Sequence, residues 1–73
     1  MGARSDRKRR LANGEAVVRL YAERNGGIRA GRTYEEWATD MVTDLMHWLE
    51  SKEIKPWKLL CVCKRHWEAE RGE

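Results

Sequence analysis

Thr33 and Glu36 stand three residues apart at the head of a run, Thr33 to Leu49, in which apolar residues recur at helical spacing. The pair matches S/T-x-x-E, in which each side chain satisfies a backbone N–H at a helix start, so one end of the run is defined as a helix. At about 100° per residue, Tyr34, Trp37, Ala38, Met41, Val42, Leu45, Trp48 and Leu49 fall in one continuous arc. A helix with so broad an apolar face has to be covered by other elements, and the flanking sequence offers only more helix.

Upstream, Gly26-Gly27 closes a helical pattern containing Val17, Val18, Leu20 and Tyr21, because glycine takes the left-handed C-cap conformation without strain. Asn13 is a plausible N-cap for it, and Ser5-Asp6 offers an earlier one. Downstream, Glu53-Ile54-Lys55 turns the chain and Pro56 suits the first position of a third helix, where its missing N–H costs nothing. The reading is an all-α fold: a small three-helix domain over 11–73, with helices near 14–24, 33–51 and 56–70. A basic N-terminal arm over 1–10, disordered or fraying, precedes it. Trp37, Met41, Leu45, Trp48, Leu60 and Trp67 are its expected buried centre.

With 73 residues, four Trp, two Tyr and no Phe, the core has to be built from few, large rings near the lower size limit of a self-sufficient domain. Val42 and Met46 at the edge of the second helix's arc, and Cys61 and Val62 outside the main face of the third, read as surplus apolar surface. A homodimer or an obligate complex is expected to cover it. Cys61 and Cys63 point about 200° apart on a helix, so they neither close a disulfide nor grip one metal, and free thiols in a reducing compartment follow. No apolar run nears the ~20 residues of a membrane span, and no signal-peptide core follows the basic start, which predicts a cytoplasmic protein with no membrane contact and no cofactor.

The net charge of +3 is unevenly spread. Residues 1–10 carry Arg4, Arg7, Lys8, Arg9 and Arg10 against Asp6, a net of +4, and the remaining ten bases and eleven acids leave the body at −1. The arm is thus a candidate for sequence-independent phosphate contact, with a solubilising terminus as the plain alternative. The glycine-containing loop 25–32 has neither phosphate-loop spacing nor a preceding strand, and reads as a helix connection.

Along one border of the second helix run Glu36, Asp40, Asp44 and His47. Their i, i+3 and i+4 spacing stacks the side chains, and Asp40, Asp44 and His47, joined by His66 from an antiparallel third helix, are candidates for holding a divalent ion. The plain reading is a solvated border, with His47-Trp48 and His66-Trp67 setting each histidine at the rim of a buried indole. H-x-x-x-H spacing is absent, and no exposed nucleophile stands beside a base.

The segments Trp37-Ala38-Thr39-Asp40 and Thr43-Asp44-Leu45-Met46-His47-Trp48, with the ending His66-Trp67-Glu68-Ala69-Glu70, resemble the short helical proteins of phages, prophages and mobile elements. In these a D-L-x-H-[WL] helix precedes an H-[YWF]-E-A-E helix. The resemblance covers residues 33–70. It implies genomic context, including a small anti-CRISPR-like inhibitor of host defence, and no activity to carry onto these positions. The arm, the glycine-containing loop and Cys61-Val62-Cys63 depart from the pattern.

Together these features favour a non-enzymatic binding module that docks on a larger protein or nucleoprotein complex. Tyr21, Arg29, Arg32 and Trp57 are the expected hot spots, since interface energy concentrates in Tyr, Trp and Arg. The alternatives are a nucleic-acid-binding regulator acting through the arm and a metal-binding protein or metal-dependent hydrolase using the Asp/His stripe.

Overall fold

The computed structural model describes residues 3–27 and 31–71. Three helices follow one another, α1 (Ala3–Arg24), α2 (Tyr34–Ser51) and α3 (Pro56–Arg71), and no strand occurs among the described residues. The all-α class read from the sequence is the fold the chain adopts. Two compact units divide it, Met1–Met41 and Val42–Glu73. The first contains α1 and the opening turns of α2; the second contains the rest of α2 and α3.

α2 begins where the capping box requires. The Thr33 backbone N–H donates to Glu36 Oε1 at 2.9 Å, and the Glu36 N–H donates to Thr33 Oγ1 at 3.1 Å, a reciprocal pair that satisfies two orphan donors. α3 opens on Pro56, also as expected. The start of α1 differs from the sequence reading: helix runs from Ala3, through both Asp6 and Asn13, rather than starting near residue 14. Arg, Lys, Leu and Ala are all good helix formers, and Asp6 pairs with Arg9 one turn on, at 3.7 Å. Residues 3–10 of the arm are therefore helical backbone, and from Asp6 to Val17 every side chain is exposed.

α1 and α2 end in the same way. At the first end Gly27 N–H donates to the Ala22 carbonyl at 2.8 Å across Gly26, whose φ is +107°. At the second, Ile54 N–H donates to the Leu49 carbonyl at 3.0 Å across Glu53, whose φ is +61°. Both are Schellman caps, with the residue four positions before the left-handed one supplying the acceptor. Those two acceptor residues, Ala22 and Leu49, together with Trp37, are the buried residues of the chain among those described.

This core is smaller than the sequence suggested, and centred elsewhere. Trp37 is buried as expected, and Met41 and Leu60 are half-buried, but Leu45, Trp48 and Trp67 are exposed. The reason is a change of phase along α2. Up to Met41 the covered positions are Trp37, Ala38 and Met41; from there on they are Val42, Met46 and Leu49, about one residue step further round the helix. The change falls at Met41, the last residue of the first unit along the chain. Val42 and Met46, expected to be surplus, are consequently half-covered, and Leu45 and Trp48 turn outward.

Candidate protein-docking surface

In the first unit one indole organises the polar side chains. Tyr21 meets Trp37 edge-on, with ring centroids 6.3 Å apart at 76°, the arrangement that aromatic quadrupoles favour. Arg32 covers another part of the same ring, its guanidinium carbon 4.2 Å from the centroid, and pairs with Asp40. Arg19 donates to Glu15 at 2.9 Å on its own helix and to the Tyr34 hydroxyl at 3.4 Å at the start of α2. The Trp37 indole Nε1–H is buried and meets no acceptor among the described residues.

These contacts absorb much of the acidic stripe on α2. Glu36 is held by Thr33, whose backbone N–H and hydroxyl, aided by Arg32, keep its carboxyl below the usual glutamate range. Asp40 is engaged by Arg32. His47 and His66 are exposed. Among the described residues no three His, Cys, Asp or Glu side chains come together as a metal-holding group, so Asp40, Asp44, His47 and His66 are not assembled into the centre their spacing suggested. Cys61 and Cys63 are free thiols on the exposed part of α3.

The second unit has the opposite character: it leaves rings open. α3 contains no buried residue. Pro56, Leu59 and Leu60 are half-covered, and from Cys61 to Arg71 every side chain is exposed. Leu60, Cys63 and Trp67 lie on one helical stripe at i, i+3 and i+7, so the stripe that starts half-covered continues exposed for two turns. Trp67 and Trp48 are each 54% exposed and Trp57 is 64% exposed, well beyond what a solvated surface needs of so large an apolar ring. Each of the first two carries a cation four residues on: Lys52, just past the end of α2, lies 5.9 Å from the Trp48 ring, and Arg71 on α3 lies 4.6 Å from that of Trp67. Both pairs have the i, i+4 spacing that brings side chains together on a helix, a signal visible in the sequence.

Of the four expected hot spots, Trp57 is open to solvent, Tyr21 and Arg32 are occupied with Trp37, and Arg29 lies outside the described residues. Arg7, Lys8, Arg9 and Arg10 are exposed on α1; Arg4 lies in its first turn, with its side chain outside what is described. No helix among the described residues is long and apolar enough to cross a membrane. Comparison of the chain with protein-family models, with curated proteins and with solved structures found no match in any of the three.

Proposed function

We propose that this chain is a non-enzymatic binding module that docks on a larger protein or nucleoprotein complex through the open rings of its second unit. The observation that carries the reading is the uncovered stripe of α3, Cys63 and Trp67, continuing from half-covered Leu60. Exposed indoles at Trp48 and Trp57 add to it. Aromatic anchors of this kind supply most of the energy of protein interfaces once a partner excludes water from them. Residues 42–73 hold six bases and six acids, so association here depends on apolar burial more than on long-range attraction, and it tolerates salt.

The resemblance to phage and mobile-element proteins is the ground for naming a host-defence complex, CRISPR–Cas among them, as the first partner class to test. The reading is tested by capture from a bacterial host lysate with the full chain and with a Trp57→Ser/Trp67→Ser double variant. A partner retained at both low and high salt by the first and lost by the second supports the module. Equal capture by both proteins removes it, and a doubled solution mass of the purified chain would instead make a second copy the occupant.

A further inference from the structure

The first turns of α1 have a property that the docking reading does not use. Arg7, Lys8, Arg9 and Arg10 occupy consecutive positions of a helix, and at about 100° per residue four consecutive side chains span its whole circumference. Asp6 is the one acid before Glu15, so one carboxylate faces five cations. The side chains from Asp6 to Val17 are all exposed, which leaves an exposed helical rod whose basic part, Arg7 to Arg10, makes about one turn, roughly 6 Å long.

We propose that this rod is a sequence-independent binding element for duplex DNA, seated in the major groove. A surface that is basic all round fits a ligand with phosphates on two walls. The B-form major groove, about 12 Å wide, admits a helix of about 10–12 Å, whereas the deep, narrow groove of duplex RNA excludes it. A lipid surface calls for an apolar face opposite the charges; here Leu11 is the one large apolar residue from Arg4 to Ala16, and exposed Val17 and Leu20 lie about 120° and 180° round the helix from it. Single-stranded nucleic acid calls for stacking rings, and the first aromatic residue of the chain is Tyr21. Cations that point to every side of the helix reach phosphates on both walls of the groove, so the phosphates supply the affinity and sequence is not discriminated.

The test measures binding of the full chain to two unrelated DNA duplexes of about 20 base pairs, to duplex RNA and single-stranded DNA of the same length, and to anionic phospholipid vesicles. About four phosphate contacts predict a slope of log K against log salt near −3.6, or roughly a hundredfold weakening between about 50 and 200 mM. An Arg7→Gln/Lys8→Gln/Arg10→Gln variant keeps helix-forming side chains and should retain its circular dichroism while the slope falls to about −1. Equal affinity for the two DNA duplexes, above that for the other three probes, is the result expected. The proposal is overturned by no DNA binding at low salt, by tighter binding to RNA, single strand or vesicles, or by a triple variant whose DNA affinity matches the parent. Trp57→Ser/Trp67→Ser should leave DNA binding unchanged, which separates this element from the docking surface.

Discussion

The Arg32 guanidinium lies 4.2 Å over the ring of Trp37, the one tryptophan buried among those described, and holds Asp40 from the same position. It joins the loop before α2 to the first two turns of that helix. Arg32→Ala removes a stacked cation worth about 0.5–2 kcal/mol and an exposed ion pair worth about 0.2–1 kcal/mol, and a loss of about 1–2 kcal/mol in urea unfolding is expected. Lysine at this position restores the charge without the planar stack and recovers only part of it.

Trp37→Ala should be the most damaging single change, costing about 3–5 kcal/mol as a large core aromatic is lost. Trp37→Phe should cost distinctly less. The indole N–H donates to nothing among the described residues, so phenylalanine forfeits ring area and no hydrogen bond. Equal costs for the two substitutions would show that the N–H has an acceptor after all.

Gly14 sits inside α1, and a methyl group built there meets nothing within 4 Å. Gly14→Ala should therefore stabilise the helix by about 1 kcal/mol, read as a higher melting temperature and more helical circular dichroism. A neutral or destabilising result would mean that α1 is broken at this point.

Glu53 offers the converse test. It holds φ +61° at the cap of α2, a conformation that costs a side-chain-bearing residue about 1–2 kcal/mol and glycine almost nothing. Glu53→Gly is expected to raise stability by about 1 kcal/mol, and Glu53→Val to lower it. The order Gly, Glu, Val in unfolding midpoint is the measurement.

The capping box makes a pH prediction with a definite sign. Glu36 titrates below its ordinary value because Thr33 donates to it, so its contribution to stability is complete above the unfolded glutamate pKa, about 4.3, and fades as pH falls through the lower folded value. Glu36→Gln keeps an N3 partner for Thr33 and removes the titration. The acid limb of stability should be flatter in that variant by a small amount, since the carboxylate is solvent-exposed.

Much of the fold was legible because its signals are local. Thr33 with Glu36, Gly26-Gly27 and Pro56 each specify a helix end by backbone chemistry alone, and all three ends fall where those residues stand. Burial depends on neighbours and was less legible. The arc on α2 contains Trp37, Leu45, Trp48 and Leu49 within one broad stripe, and nothing in its periodicity says that the covered side changes at Met41. The length of α1 was less legible for another reason: Asn13 and Ser5-Asp6 both offer N-caps, and the cost of about 1 kcal/mol for the helical Gly14 is small enough for flanking helix formers to override, so the helix runs through both. The acidic stripe was placed correctly on one side of α2, but whether Asp40 serves a metal or Arg32 depends on a loop residue whose position no spacing rule supplies.

Three open indoles and one buried one also make the protein its own optical probe. Emission from Trp48, Trp57 and Trp67 should dominate at long wavelength and be readily quenched by small solutes such as acrylamide or iodide, while Trp37 forms a shielded, bluer minority. Covering the open rings would shift the spectrum to the blue and protect it from quencher, so occupancy of the second unit can be titrated without a label. Trp37→Phe, the milder change at that position, would leave the titration signal almost unchanged, and removing Trp57 and Trp67 would abolish most of it.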